Sequence, residues 1–542
     1  MAKRALTPQR ATSAAHRGAE RATLPGWFLY LTVFLCGHAV MMVEILGARI
    51  IGPYFGVSLY VWTAIIAVTL VSLTLGYWWG GWLADRRGSA DTLFTVISAA
   101  GLSILLIALV KNAVLTASGS LGLRLGALTS AFLLFSVPLL LLGVVAPLAV
   151  KLQASSLLGL GGTVGRLYAV STLGSVIGSI DTGFFLIPHL AVPSVLALAA
   201  AVLLALGAAY WGMRRSPRAA VALLLLPAMG IPWWPSPSAT FTRNGVTWKV
   251  IDKRESPYGV IHVLDITSGA QTSRILLNDG IGQSAMDVAT GLSLAPYTYG
   301  MELLALRYQP RAKRALAVGL GAGLLSRGLE ARGIRTDVVE INPVILEVAR
   351  RLFSYPGATG RTFLEDARVT IQRSQERYDI ISLDAFLGEI APSHLLTREM
   401  FSAIDRLLSQ DGVVILNLPG YRRGPQSLAA ASLQATLRQV FAQVDVYFSP
   451  FSQRPQDADF GNLLFAAYRH EPLDPLPTPQ LTVHPSAQAA LRNLLASRFR
   501  LPTEGALLLT DDYNPIDYYD LAAKEAFRRR MQEILGANIL LQ

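Results

Sequence analysis

The stretch "LAVGLGAGLLSRGLEARGIRTDVVEINP" (residues 316–343) decides the fold of the second half of the chain. An apolar strand pattern leads into Gly319, Gly321 and Gly323, and a helical pattern then leads to a second apolar strand. Glycine allows a sharp turn and a close approach of the backbone to a ligand, and the following helix offers free N–H groups. The stretch therefore predicts a strand–turn–helix unit that can bind a nucleotide or nucleoside.

Three acids follow the strands of this region. Glu340 ends the second strand, about 20 residues after the glycines, where a carboxylate can accept hydrogen bonds from both ribose hydroxyls. Asp366, in "FLEDARV", precedes a small residue and can bind the exocyclic amine of adenine. Asp384 ends "YDIISLD" and can act as a base or hold a cationic group. Leu324 replaces the third glycine of a dinucleotide motif, so the pattern favours a sulfonium adenosine of the S-adenosylmethionine type.

Strand and helix patterns alternate throughout residues 313–542, which predicts a doubly wound, Rossmann-like domain of the class I methyltransferase type. Before it, residues 236–312 contain a linker and alternating strands with a tight turn at 278–280, so we expect a small antiparallel sheet. The predicted strands of the large sheet are 314–318, 336–340, 379–383, 412–417, 443–449 and 462–467, and the predicted helices include 322–332, 343–353, 397–409 and 426–440.

The first half of the chain is much more apolar. Of the 542 residues 52% are hydrophobic and 15% are charged, and the apolar excess lies before residue 235. A span needs roughly 20 apolar residues, so we predict a basic cytoplasmic tail (1–25) and a multi-pass helical membrane domain (26–235) of six or seven spans. The six clear spans are 27–50, 57–83, 92–111, 126–150, 165–187 and 191–212, and a marginal seventh lies at 219–234.

The net charge of +11 is concentrated in the tail and in loops on one side of these spans, which predicts an inner-membrane protein with its N-terminus inside the cell. Seven spans would place the second half outside, whereas six would keep it in the cytoplasm. Because nucleosides are abundant inside cells, we expect the catalytic domain in the cytoplasm. Glu44, Arg49 and Asp181 lie within spans, where they indicate either a transport path or structural ion pairs.

Composition excludes several functions. The one cysteine, Cys36, excludes an intrachain disulfide and a cysteine-based metal site, and the histidines lack metal-ligand spacing. The sequence shows no basic face with interleaved aromatic residues, which is the pattern that would indicate nucleic-acid binding. We therefore expect no metal, no prosthetic group and no nucleic acid. The expected partners are a small-molecule amine, a sulfonium nucleoside and the lipid bilayer.

The chain resembles the membrane-fused form of the spermidine synthase (polyamine aminopropyltransferase) family. The resemblance rests on "GGWLADRRG", "GRLYAVSTLGSVIGSIDTGFFLIP", "LLNDGIGQ", "VVEINPVILEVAR", "LEDAR", "DIISLDAF" and "LLTDDYNPIDYY". It implies transfer of an aminopropyl group from decarboxylated S-adenosylmethionine to an amine, converting putrescine to spermidine and releasing methylthioadenosine. Members of this family commonly form homodimers.

The resemblance also implies residue roles. Asp384 would be the catalytic base, and Glu340 would bind the ribose of the donor. Further donor-binding positions are Gly319, Gly321, Gly323, Gln283, Asp366, Ala367 and Pro392. The amine-binding positions are Tyr258, Asp279, Asp287 and Tyr297.

Two positions depart from the family pattern. Ala322 replaces an aspartate that binds the amine of the donor, and Leu387 replaces a second acid, for which Glu389 could substitute. Three functions are therefore weighed: the aminopropyl transfer itself, methyl transfer from or cleavage of S-adenosylmethionine, and a transporter that senses a nucleoside or polyamine.

Overall fold

The computed structural model describes residues 24–56, 59–154, 159–216, 218, 240–243, 245–386, 388–389, 391–451, 458–469 and 478–536. Most of the predicted basic tail and the predicted apolar segment at 219–234 lie outside these residues. The predicted linker rich in Pro, Ser and Trp does so as well.

Within the described residues, six helices are long and apolar enough to cross a membrane. They overlap the six clear spans predicted from the sequence and extend each of them. Apolar side chains cover most of their circumference, as expected for helices that face both protein and lipid. The helices are α1 (Gly26–Phe55), α2 (Leu59–Arg87), α3 (Ala90–Gly119), α4 (Gly122–Gln153), α5 (Leu160–Ile180, continued by a π-helical turn at Asp181–Leu186 and a short turn at Ile187–His189) and α6 (Val192–Met213).

Small residues and one polar pair hold α5 against α1. A Cβ on Gly174 would overlap the Phe34 carbonyl, so glycine is what allows this close approach. Asp181 pairs with Nε2 of His38 at 3.3 Å. The structure therefore supports the structural alternative for Asp181, a polar contact between two packed helices.

The small sheet is five-stranded and antiparallel, in the order β1-β2-β3-β4-β5. Val250, Leu264 and Leu277 on this sheet belong to the same apolar core as the membrane helices. The sheet therefore lies between the membrane bundle and the large sheet. Its strands are β1 (Thr240–Arg243), β2 (Val246–Ser256), β3 (Gly259–Ser268), β4 (Gln271–Asn278) and β5 (Ile281–Asp287).

The large sheet has seven strands in the order β11-β12-β10-β9-β6-β7-β8. Its strands are β6 (Arg314–Val318), β7 (Arg335–Val339), β8 (Thr362–Phe363), β9 (Tyr378–Leu383), β10 (Leu408–Tyr421), β11 (Gln443–Pro450) and β12 (Phe460–Tyr468).

A doubly wound arrangement predicts parallel strands, and one strand of the large sheet is an exception. β12 is antiparallel to both of its neighbours, β10 and β11. Only residues 451–459 connect β11 to β12, whereas a crossover to a parallel strand takes a dozen residues or more. The Rossmann-like, class I methyltransferase-like fold is otherwise as predicted.

Helices cover both faces of the large sheet. An apolar core lies on each side, one around Phe401 and Leu433 and the other around Leu304 and Leu329. The helices are α7 (Pro296–Tyr308), α8 (Leu324–Glu330), α9 (Pro343–Leu352), α10 (Ala367–Arg373), α11 (Arg398–Leu407), α12 (Leu428–Leu437), α13 (Pro485–Leu494), α14 (Ile516–Tyr519) and α15 (Leu521–Leu535).

Candidate active site

Four neighbouring strands of the large sheet border one cavity at matching positions in the sheet. In register, Val318 of β6 pairs with Val339 of β7 and Leu383 of β9, and Leu383 pairs with Leu416 of β10. The residue after each of these strand positions lines the cavity: Gly319, Glu340, Asp384 and Asn417. Parallel strands thus bring the predicted glycine turn and two of the three predicted acids to one edge, the usual position of ligands in such sheets.

The glycines of the turn have different surroundings. Gly319 has φ +88°, and a Cβ there would overlap the Asp384 carbonyl. Gly321 also lines the cavity. Gly323 does not: it has φ +74°, and a Cβ would lie 2.6 Å from the Tyr355 ring. Gly323 therefore packs against Tyr355 and is not among the residues that line the cavity.

Glu340 is buried and already holds the glycine turn. One carboxylate oxygen accepts a hydrogen bond from the Leu320 N–H at 3.0 Å, and the other accepts from the Asn342 N–H at 2.9 Å. Burial raises the pKa of Glu340, and these backbone hydrogen bonds oppose the rise. Each oxygen has a second lone pair that can accept a ribose hydroxyl.

Asp366 and Ala367 line the cavity at the start of α10, beside Pro392. One Asp366 oxygen accepts a hydrogen bond from the Arg368 N–H at 2.8 Å and caps the helix. The other lies 2.9 Å from Nε2 of His394. Asp366 therefore caps α10 and also presents a carboxylate at the cavity.

Asp384 combines burial with hydrogen bonding. Nδ2 of Asn417 donates to it at 2.9 Å. Burial raises the pKa of the Asp384 carboxyl to about 6, and hydrogen bonds from Asn417 and Tyr297 oppose the rise. A carboxyl of this kind is ionised at neutral pH and basic enough to accept a proton from a nearby amine.

Asn417 was not predicted as a site residue, although the predicted strand 412–417 ends at it. It lies within β10, one residue after Leu416, which is in register with Leu383 just before Asp384. Its side chain is buried, and its amide oxygen has no hydrogen-bond partner in the described residues. An unpaired buried acceptor at a cavity is suited to a donor on a ligand.

The small sheet and α7 close one side of the cavity. Nε2 of Gln283 donates to the Gly388 carbonyl at 3.0 Å, and the Tyr297 hydroxyl donates to the Gln283 carbonyl at 3.2 Å. Oγ of Ser284 accepts a hydrogen bond from the Ala322 N–H at 3.1 Å. Gln283 and Tyr297 therefore lie where the sequence predicted a site.

Three predicted amine-binding residues do not line the cavity. Asp287 turns away at the end of β5, accepts a hydrogen bond from the Thr290 hydroxyl and pairs with His484 at 3.6 Å. The Asp279 side chain accepts a hydrogen bond from the N–H of Val260 in the small sheet. Tyr258 lies in the turn before β3 and is also outside the cavity lining. The direction of these side chains depends on how the small sheet docks, which sequence spacing does not reveal.

The cavity also contains another acid and an aromatic wall. Glu389 lines it and forms an ion pair with Arg528 of α15. Phe451 and Phe527 also line it, with ring centroids 5.0 Å apart in a stacked arrangement. Residues of α15 gave no sequence signal for this site because they lie far along the chain from the strand ends.

The two remaining predictions concern the replacement of an acid by Leu387 and the metal content of the site. Leu387 lies outside the described residues, between Phe386 and Gly388. Among the described residues, no group of three or more His, Cys, Asp or Glu side chains could hold a metal ion.

The fold and the strand-end carboxylates define a Rossmann-like domain of the methyltransferase and spermidine synthase type. The chain is 40% identical over 123 residues to the polyamine aminopropyltransferase of Vibrio vulnificus, a match that spans 22% of this chain and 41% of that protein. It is 25% identical over 242 residues to a probable polyamine aminopropyl transferase of Bifidobacterium longum, spanning 42% of this chain and 53% of that protein. The resemblance to polyamine aminopropyltransferases is therefore confirmed, and these names do not describe a membrane half.

A third relative, the N-terminal histidine N-methyltransferase of Emericella nidulans, is 39% identical over 119 residues, which are 20% of this chain and 21% of that protein. These three matches span between 21% and 53% of the relatives' own lengths. No family model matches the chain.

Among solved structures, a probable spermidine synthase from Corynebacterium glutamicum is similar to the chain with 21% identity and a TM-score of 0.40, covering 48% of this chain and 96% of its own. The spermidine synthase of Thermotoga maritima has 16% identity and a TM-score of 0.36, covering 47% and 87%.

Proposed function

We propose that the chain is a membrane-anchored aminopropyltransferase that uses a sulfonium adenosine, decarboxylated S-adenosylmethionine, to alkylate an amine such as putrescine. The observation that carries this proposal is the position of Asp384. Its partly desolvated carboxyl, with a pKa of about 6, lies at a strand end in the same cavity as Glu340. The polyamine aminopropyltransferases among the relatives support the same class of reaction.

In this proposal, side chains and backbone that face the cavity bind the donor. Glu340 accepts the ribose hydroxyls, and the turn at Gly319 and Gly321 leaves room for the nucleoside beside the backbone. Asp366 and the start of α10 face the adenine. These contacts orient the carbon next to sulfur toward Asp384, and such positioning supplies a large part of the rate acceleration.

The chemistry needs one proton acceptor and no metal. Asp384 accepts a proton from the ammonium form of the acceptor, and the free nitrogen attacks the carbon bonded to the sulfonium. A C–N bond forms as the C–S bond breaks, and the electron pair of the broken bond stays on sulfur as the neutral thioether methylthioadenosine. The free amide oxygen of Asn417 and the Tyr297 hydroxyl are placed to orient the attacking amine.

A second candidate is supported by Ala322. This side chain is 1% exposed and packs in the core behind the glycine turn. It supplies no carboxylate for the donor amine, so S-adenosylmethionine itself could be the donor, for methyl transfer or for cleavage to methylthioadenosine.

Mass spectrometry of products separates these candidates. The purified protein is incubated with putrescine and either the decarboxylated donor or S-adenosylmethionine. The proposal predicts spermidine and methylthioadenosine in equal amounts from the decarboxylated donor. A methylated product, or methylthioadenosine without any alkylated amine, supports the second candidate, and absence of spermidine with the decarboxylated donor contradicts the proposal.

A further inference from the structure

The two ends of the membrane bundle differ in charge. At one end Lys151 pairs with Asp85 at 3.3 Å, and Arg214 pairs with Asp91 at 3.2 Å. The stacked rings of Phe28 and Phe94, 5.5 Å apart, place the start of α1 at this end as well. We call it the basic end. Its cationic residues within the described part of the chain are Arg86, Arg87, Lys151, Arg166, Arg214, Arg215 and Arg218. The sequence that precedes α1 contains Lys3, Arg4, Arg10, Arg17 and Arg21.

The opposite end carries few cationic residues. Gly119 and Gly126 lie against the rings of Tyr54 and Phe55, so α1 and α3 end there and α4 begins there. The cationic residues near this end are Arg49, Lys111 and Arg124. The connections between the spans are short, which is the condition under which lysine and arginine counts determine orientation.

The soluble half contacts this opposite end. Arg49 of α1 donates to the Ser256 carbonyl at 3.0 Å, and Glu255 accepts a hydrogen bond from the Val192 N–H, at the start of α6, at 3.0 Å. Arg124 of α4 pairs with Glu525 at 2.8 Å.

The C-terminal helix makes further contacts there. In α15, Arg528 donates to the Pro53 carbonyl at 3.0 Å, and Gln532 donates to the Tyr54 carbonyl at 2.7 Å. Two separate parts of the soluble half, the small sheet and α15, therefore contact the end of the bundle that lies opposite the basic end.

The connection between the halves agrees with this arrangement. The structure describes the chain at the basic end up to Arg218 and again from Thr240, in the sheet that docks on the opposite end. The intervening sequence includes "AAVALLLLPAMGIPWW" (219–234), and residues 219–242 contain no charged side chain. A stretch of this length and composition is close to what crossing the hydrocarbon core requires.

We infer that the soluble domain and its cavity face the non-cytoplasmic side of the membrane. The basic end determines the cytoplasmic side, and the docked domain lies at the other end. This reverses the cytoplasmic location expected from the abundance of nucleosides inside cells, because that expectation ignored which end of the bundle the domain contacts. If the proposed function holds, a donor made in the cytoplasm must cross the membrane before it reaches Asp384.

Single-cysteine labelling tests this inference without any activity. Cys36 is 3% exposed in α1, and a Cys36→Ser background removes it. Gln372→Cys then reports on the soluble domain, where Gln372 is exposed. Gly161→Cys reports on the basic end, because Gly161 is exposed at the start of α5 and an added Cβ meets nothing within 4 Å.

Each variant is treated with a membrane-impermeant maleimide in right-side-out and in inside-out vesicles of the expression host. The inference predicts that Gln372→Cys is labelled in right-side-out vesicles and that Gly161→Cys is labelled only in inside-out vesicles. The reverse pattern overturns it. The Cys36→Ser parent controls for background, and failure of the proposed chemistry leaves this result unchanged.

Discussion

Glu340 illustrates how one side chain serves structure and ligand together. Its oxygens hold the backbone of the glycine turn and the start of the next helix, and the same carboxylate faces the cavity. Burial raises its pKa, so the protein tolerates a costly buried acid at the position where a ribose would bind. A purely structural group would not need to line the cavity.

Glu340→Gln is expected to weaken binding of the donor or of methylthioadenosine by about 10- to 100-fold, because hydrogen bonds to a charged group contribute about 1.5–3 kcal/mol each. Isothermal titration calorimetry in detergent measures this. The matched control is Glu347→Gln on α9, an exposed acid whose removal should leave affinity unchanged. Equal affinities for both variants would rule out the role given to Glu340.

The pKa of Asp384 predicts a pH profile. Burial raises it to about 6, so the carboxyl is protonated below that pH and cannot accept a proton. We expect kcat/KM for the acceptor to rise with pH and to reach half its plateau near pH 6. Initial rates across the range check this, and a profile that is flat through pH 6 would count against Asp384 as the base.

Among the individual residues, those at strand ends were predictable. Alternation of strands and helices locates the ends, and parallel strands bring them to one edge. The same rule would have identified Asn417. The rule does not cover Asp287 and Asp279, which only the family resemblance implied, because the directions of their side chains depend on the docking of a separate sheet. The rule also gives no indication of Arg528, which lies near the far end of the sequence and pairs with the cavity residue Glu389.

At the scale of elements, helix packing in the membrane half rests on small residues. α1 and α5 run side by side, and Gly174 and Gly178 meet the backbone of Phe34 and His38. Without a hydrophobic driving force between helices in lipid, close backbone approach is a main source of association.

Gly174→Ala is therefore expected to lower the thermal unfolding temperature, by an amount that corresponds to about 1–3 kcal/mol of overpacking. Gly165→Ala in the same helix is the matched control, because an added Cβ there meets nothing within 4 Å, and alanine favours the helix. A fluorescence-detected melt in detergent compares them. If both variants have the same thermal unfolding temperature, α5 does not pack on α1 as described.

The span α3 ends eight residues beyond its predicted end, and the predicted strands and helices of the large-sheet domain lie within four residues of their observed bounds. The direction of β12 could not be predicted in this way, because the pattern of apolar residues indicates burial and does not indicate whether a strand runs parallel or antiparallel to its neighbours. The short link from β11 contained the needed information, since it is too short for a crossover.

At the scale of the whole molecule, Arg528 joins the membrane bundle to the cavity. Its guanidinium donates to the carbonyls of Pro53 in α1 and of Asp279 in the small sheet, and it pairs with Glu389. One buried side chain thus contacts three parts of the chain that are distant in sequence. The location of the cavity relative to the membrane therefore depends on a specific polar contact as well as on apolar packing.

Arg528→Met is expected to destabilise the protein by about 3–5 kcal/mol, because it leaves Glu389 buried and unpaired. The double variant Arg528→Met with Glu389→Met should recover part of this loss. Arg529→Met, a change at the exposed neighbouring position, is the control. Thermal melts compare these three variants with the wild type. If Arg528→Met is as stable as Arg529→Met, the ion pair does not hold the halves together.

In the proposed reaction, Asp384 accepts the proton of an amine that attacks a sulfonium adenosine bound beside Glu340. The most direct measurement compares wild type and Asp384→Asn for release of methylthioadenosine from the decarboxylated donor with putrescine, together with the affinity of each protein for methylthioadenosine. We predict that turnover falls by about 10²- to 10⁴-fold, the usual contribution of a general base, while nucleoside affinity is retained. Unchanged turnover in Asp384→Asn would contradict this role of Asp384.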